Sequence, residues 1–258
     1  MGYWEDRQAA TQAALTKKNI AQTEKQLRTY YRKARFNAMG KFMNTYNHIY
    51  RAIEAGREPT PADLYKLDTY WQLQGEIREE LIRLGDKNAA EMSKRFMAQW
   101  QDIYNSYAIR DEGHFSKIDY QAAQQMINEI WCADGKSWSS RIWTNIGELQ
   151  EALNEELLNC LINGNSPRQL RERLMYQFNV SWSKADSLVR TEMAHIQTKA
   201  AEQRYKDGGI KRVQVWADED ERRCDVCGNL HEKVYMIGEK IPIPAHPRCR
   251  CCIVPVIE

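Results

Sequence analysis

From Ile20 onward the apolar residues of this chain recur at helical spacing, and that periodicity constrains the fold more than any other feature. Ile20, Leu27, Tyr31, Ala34, Ala38, Phe42, Ile49 and Ile53 follow at steps of mostly three, four and seven, which lines them up on one helix face. The spacing predicts one long helix over residues 5–55 that tolerates Gly40 and ends in a loop at residues 56–61. Pro59-Thr60-Pro61-Ala62-Asp63 then opens a second helix to Leu84, with Thr60 as its N-cap. Asp86-Lys87-Asn88 reads as the next break, followed by a helix to Tyr107, a loop at Arg110-Asp111-Glu112-Gly113 and a helix over residues 119–131. Cys132-Ala133-Asp134-Gly135-Lys136 is a stop, and the domain boundary is placed there, giving residues 1–135 and 136–258.

The second part begins on another stripe, formed by Trp138, Ile142, Ile146, Leu149, Leu153, Leu157, Leu158 and Leu161. Asn163-Gly164-Asn165 closes that helix. Ser166-Pro167 has the cap and first-turn chemistry of a short helix over residues 168–178, and Ser181-Trp182-Ser183 of a long one through Tyr205. Asp207-Gly208-Gly209 stops it, and the period changes. Lys211-Arg212-Val213-Gln214-Val215-Trp216 alternates polar and apolar, as a half-buried strand does, so residues 210–258 should form a small β-rich tail. The expected fold is mainly α: long N-terminal helices, a helical middle and a small C-terminal α+β tail. A mean hydropathy of −0.71 suits long, solvated helices.

Charge is unevenly spread. Residues 7–51 hold Arg7, Lys17, Lys18, Lys25, Arg28, Arg32, Lys33, Arg35, Lys41 and Arg51 against the single acid Glu24, whereas the whole chain nets only +2. A solvated helix ordinarily interleaves both signs to gain pairs one turn apart. A run this poor in acid fits a polyanionic partner such as double-stranded DNA, bound without regard to sequence. The candidate contacts are Lys17, Lys18, Lys25, Arg28, Arg32, Lys33, Arg35 and Lys41, spread over about 36 Å of helix at 1.5 Å per residue. Tyr30, Tyr31, Phe36, Phe42, Tyr46 and Tyr50 are interleaved with them, and their spacing reads mostly as core.

No apolar run approaches the length needed to span a bilayer, and the start MGYWEDRQAA lacks the apolar centre of a signal peptide. Asp6 stands where a myristoylation signal wants Ser or Thr. Synthesis in a cytoplasm is expected, and in that reducing setting cysteines favour metal ligation or burial over disulfides. Five of the seven cysteines crowd into residues 224–252. Cys224-x2-Cys227 and His246-x2-Cys249 have the spacing of a structural zinc site, because each turn aims two ligands at one ion and two turns complete a tetrahedron. Cys251 rivals Cys249 for the fourth place, and unmetallated core thiols, or disulfides formed outside the cell, are the other readings. Four protein ligands leave no position for water, so such a zinc would staple a tail too small to hold itself by core burial.

Val189-Arg190-Thr191-Glu192 on a helix, a tryptophan strand, the acidic stretch that starts at Asp218, and the closing His246-Pro247-Arg248-Cys249-Arg250-Cys251 together resemble the Mu F-like phage head-morphogenesis domain. The resemblance runs from Ile142 to Pro255. It implies a minor head protein of a tailed bacteriophage, without enzymatic activity and present in few copies. Such a protein is held at the portal inside the head, contacts the major capsid or scaffold protein, and acts in DNA packaging or ejection. Arg190, Thr191 and Glu192 are read as structural, through an ion pair or cap contacts.

Two other classes compete. A metal-dependent HNH-like nuclease would need a catalytic histidine beside its metal ligands, and His231 is the only other histidine of the tail, far off in sequence. A zinc-ribbon regulator reading DNA would need a basic tail, yet residues 206–258 hold nine basic and nine acidic residues.

Overall fold

A computed structural model of the protein describes residues 3–54, 68–107, 119–217 and 223–256. Helices α1 (Tyr3–Glu54), α2 (Asp68–Ser106), α3 (Tyr120–Ile127), α4 (Trp138–Ile162) and α5 (Pro167–Asp207) lead into strand β1 (Arg212–Trp216). A short helix α6 (Asp225–Leu230), β2 (Val234–Met236) and β3 (Cys252–Pro255) follow. The mainly α chain with a small α+β tail is the fold expected from the sequence. The loops expected at residues 56–61 and 110–113, the Thr60 cap and the acidic stretch at residues 218–222 lie outside the described residues. So do the side chains of Ile49, Ile53 and Leu161.

By contact in space the chain forms two compact units, residues 1–24, 91–138 and 186–258, and residues 25–90 and 139–185. In the second unit the apolar stripe of α1 does what its spacing dictates: Leu27, Tyr31, Ala34, Ala38, Phe42 and Tyr46 are all buried. Each large side chain of that kind contributes about 1.5–3 kcal/mol through burial. Among the other interleaved rings Tyr30 and Tyr50 are half-buried, and Phe36 is 79% exposed within the basic stretch. In α4, Trp138, Ile142, Ile146, Leu149, Leu153 and Leu157 are buried, but Leu158 is not. Adjacent positions on a helix point about 100° apart, so Leu157 and Leu158 cannot both face the core.

Two breaks expected from the sequence are absent. Asp86-Lys87-Asn88 lies inside α2, and residues 179–183 lie inside α5. Gly85 is there for packing: a Cβ would come within 2.6 Å of the Trp143 ring. Ser181 is no cap but a buried partner, its hydroxyl 3.2 Å from the Tyr31 hydroxyl while its carbonyl accepts from the Asn145 amide at 3.0 Å. The helix expected over residues 119–131 is also shorter, ending at Ile127, and Asp119 caps its start by accepting from the Gln121 and Ala122 backbone N–H groups.

In the first unit the buried face of α1 is polar beyond Ala9. Gln12, Thr16, Asn19 and Thr23 are all buried. The Gln12 amide donates to the Tyr205 hydroxyl at 3.1 Å and to the Ile253 carbonyl at 2.8 Å. Thr16 donates to Gln197 and accepts from Gln99, both at 2.6 Å, and the Asn19 amide donates to Gln99 and Asp102. Because a buried polar atom stripped of its partner costs about 1–3 kcal/mol, this network allows one docking register for that part of α1.

The three strands form an antiparallel sheet in the order β2-β1-β3. Val213 pairs with Tyr235 on one side and Pro255 on the other, and Val215 pairs with Ile253. Alternation in β1 buries Val213 and Val215 completely. Ala9 of α1 packs with Cys252, Val254 and Trp216 beneath the sheet.

Candidate metal centre

The tail begins where Gly209 adopts a positive φ of 74°, a conformation glycine takes without cost, and lets the Ile210 N–H reach back to the Tyr205 carbonyl at 3.0 Å. Tyr205 itself is fully buried and donates to the Ile253 carbonyl at 3.2 Å, fastening β3 to the end of α5.

Cys224 caps α6. Its sulfur accepts from the Cys227 N–H at 3.4 Å, and its carbonyl accepts from the Gly228 N–H at 2.9 Å, so the two sulfurs of the Cys224-x2-Cys227 turn point to one side. The second turn is built the same way, with the Cys249 N–H donating to the His246 carbonyl at 3.2 Å. His246 Nε2 lies 3.3 Å from Cys224 Sγ and 3.1 Å from Cys227 Sγ. Cys227 Sγ lies 3.7 Å from Cys249 Sγ. Among the described residues the ligand atoms fall into two overlapping groups, Cys224-Cys227-His246 and Cys227-Cys249-Cys251, each within 4.8 Å and sharing Cys227. All of these cysteines are unpaired thiols.

Crowding perturbs these groups strongly. A hydrogen bond from the Cys251 thiol draws the Cys249 pKa down to about 5, and the same contact drives Cys251 up. Burial pushes Cys227 up to about 12. His246 is raised, first by its hydrogen bond to the Pro247 carbonyl. Four sulfurs and one imidazole packed this closely can hold a thiophilic cation, and the donor set is sulfur and nitrogen, with no carboxylate in either group.

The second turn is tied to the helix that carries Arg190, Thr191 and Glu192. Arg248, at a φ of 62°, donates its backbone N–H to Thr191 Oγ1 at 3.1 Å and places its guanidinium 2.9 Å from Asp186. Asp186 also pairs with Arg190 at 3.3 Å, and Arg190 makes a further ion pair with Glu24. Thr191 donates to the Ser187 carbonyl at 2.7 Å. Glu192, buried, accepts from the Trp131 indole N–H at 3.0 Å. The three motif residues thus hold the Arg248 turn, α1 and the segment after α3. Asp186 and Trp131 were not anticipated. Only Asp186 left a local trace, standing four residues before Arg190 at the spacing of a helical ion pair.

Trp131 also stacks on the buried His195 at 4.4 Å and an interplanar angle of 7°. Burial first, and then the Lys199 charge, hold the His195 pKa down at about 3. In an unfolded chain it would be about 6.5. As pH falls below that value the unfolded state takes up a proton that the folded state refuses. Stability should therefore drop by about 1.4 kcal/mol per pH unit towards pH 3. His195→Phe keeps a ring against Trp131 and should flatten the fall of the urea midpoint between about pH 6.5 and 4. An unchanged slope would assign the acid sensitivity to other groups.

The basic residues of α1 are turned outward. Lys17, Lys18, Lys25, Arg28, Arg32 and Lys33 are exposed, while Arg35 and Lys41 are half-buried. Among the described residues, Lys18 lies 3.9 Å from Asp102, Lys41 lies 3.2 Å from Glu76, and Arg28 covers the Trp182 ring at 4.9 Å. His231, the tail's other histidine, accepts from the Ala217 N–H at 3.2 Å and packs edge-on against Trp216.

No curated protein and no solved structure matches the chain. A family model described as phage Mu protein F like protein matches residues 151–254, a span that contains the C-terminal half of α4, all of α5, β1 and β2, all of β3 but Pro255, both Cys/His turns and the Arg190-Thr191-Glu192 motif. By that match residues 151–254 of this chain are similar to phage Mu protein F like protein.

Proposed function

We propose that this chain is a head-morphogenesis protein of a tailed bacteriophage: a minor head component without catalytic activity that sits inside the virion near the portal and touches packaged double-stranded DNA. The observation that carries this reading is the domain match over residues 151–254, which coincides with the part of the chain whose motifs bind one another. Portal, major capsid or scaffold protein would be met in the host cytoplasm during assembly. Among the described residues no helix is long and apolar enough to cross a membrane, so nothing in them calls for a bilayer.

A structural role accords with the chemistry of the tail, whose two turns supply enough ligands to close a tetrahedral site and leave no place for a reacting water. The nuclease alternative wants a second histidine free beside those ligands, and His231 is engaged by the Ala217 N–H and the Trp216 ring. Imaging of heads carrying a tag on this chain tests the assignment. Density at the portal ring is the expected result; a chain spread evenly over the shell, or absent from mature heads, would overturn it.

A further inference from the structure

We propose that Cys224, Cys227, His246 and Cys249 bind one zinc ion, and that this ion fixes the Arg248 turn against α5. Three observations carry the assignment. The first is spacing. A tetrahedral zinc with Zn–S of about 2.3 Å and Zn–N of about 2.0–2.1 Å separates two sulfurs by about 3.8 Å and a sulfur from a nitrogen by about 3.5 Å. Three of the six edges lie close to those values, at 3.7 Å for Cys227–Cys249, 3.3 Å for Cys224–His246 and 3.1 Å for Cys227–His246; Cys249 falls outside the Cys224-Cys227-His246 group and joins it through Cys227, so the ion would draw its sulfur inward.

The second is the tautomer of His246. Its Nδ1 lies 2.8 Å from the Pro247 carbonyl, an atom that only accepts, so Nδ1 carries the proton and donates. Nε2 is then left with a lone pair aimed at two thiols. A ligand imidazole is oriented in this way, one nitrogen fixed by a carbonyl and the other presented to the metal.

The third is the pairing of turns. In Cys224-x2-Cys227 and in His246-x2-Cys249 the residue at the fourth position returns its backbone N–H to the first, to the sulfur in one case and the carbonyl in the other. Each turn therefore offers two ligands to one side. Cys251 belongs to neither turn and stands next to β3, whose Cys252 is already in register with Trp216. It is a neighbouring thiol and not the fourth ligand. Three thiolates on a dication leave a net charge of −1, and Arg223, Arg248 and Arg250 flank the ligands in sequence.

The consequence reaches beyond the tail. Arg248 lies between two of the ligands, and its N–H and guanidinium are the groups that meet Thr191 and Asp186. Zinc would hold that turn in the conformation in which Arg248 reaches both.

The test uses the full chain, purified without chelator, and its Cys251→Ser and Cys224→Ser variants. Elemental analysis should give one zinc per chain, and X-ray absorption at the zinc edge should give three sulfurs and one nitrogen. Cys251→Ser should keep both values, whereas Cys224→Ser should lose a sulfur or most of the metal. Circular dichroism identifies any variant that fails to fold, and the wild-type absorption spectrum decides the donor set independently of the variants. Less than about 0.2 zinc per chain overturns the site. Loss of a sulfur in Cys251→Ser, or a wild-type shell of four sulfurs, overturns the ligand assignment.

Discussion

Binding of double-stranded DNA by the full chain should weaken with salt at a slope of about −4 to −5 in log affinity against log salt, on the footing that about five basic side chains of α1 meet phosphates. Replacing Arg28, Arg32, Lys33 and Arg35 by Gln should flatten that slope by about three to four units, because each phosphate contact contributes about 0.9. Gln is a good helix former, so α1 should persist. The geometry favours this stretch over its neighbours. Arg28, Arg32 and Arg35 follow at steps of four and three and so share a face, and Lys25 precedes them by three. Together they cover about 15 Å of helix. Lys18 and Lys41 have carboxylate partners to lose, whereas Arg28 is stacked on Trp182, which orients its guanidinium without neutralising it. Phe36, 79% exposed in the middle of the run, offers an apolar contact beside the charges. A salt-insensitive affinity, or an unchanged slope in the quadruple variant, would mean that this face meets an acidic protein surface.

How far the helices could be read from the residues depended on what each buries. The face of α1 from Leu27 to Phe42 is apolar and announces itself by spacing. The same helix buries Gln12, Thr16 and Asn19, residues that look solvated until Gln99, Gln197, Tyr205 and the Ile253 carbonyl are brought to them. Those partners lie at least 80 positions away along the chain, so no local pattern could reveal them. The false breaks have the same origin. Asn88 and Ser181 are residue types that punctuate helices, but here both are buried, and Ser181 meets the Tyr31 hydroxyl. Tertiary contact overrode a local preference worth about 1 kcal/mol or less.

The candidate metal ligands were legible because each turn is local. A Cys-x2-Cys pair declares its geometry within four residues, and so does His246-x2-Cys249. What joins the tail to the rest was not legible, since Asp186, Thr191 and Arg248 come together only when α5 and the second turn are side by side. The residue pattern marked Arg190-Thr191-Glu192 and the block at residues 246–251 as two separate features, and the hydrogen bond from Arg248 to Thr191 makes them one.

If zinc holds the two turns, chelation should raise amide exchange in residues 224–230 and 246–251 by about a hundredfold or more. The effect should be graded along the tail. Residues 225–230, capped by Cys224, form a six-residue helix that buries only Cys227, far too little apolar surface to stay folded alone. The second turn has the two contacts that the exposed Arg248 makes to the half-buried Thr191 and Asp186, and a single pair with one solvated partner contributes about 1 kcal/mol. Neither segment has enough other contact to keep its shape once no ion joins the ligands. β1 and β3 differ: Val213, Val215, Ile253 and Val254 are fully buried, and Tyr205 and Gln12 both bond the Ile253 carbonyl. Their amides should slow down exchange almost as well without metal as with it. Residues 25–90 and 139–185, which form a compact unit of their own, should not respond. Exchange measured by mass spectrometry before and after chelator reads all three tiers at once. Equal protection of residues 224–230 in both states would remove the metal from the folding of the tail, and loss of protection across β1 and β3 as well would mean that the sheet, and not only its two turns, depends on the ion.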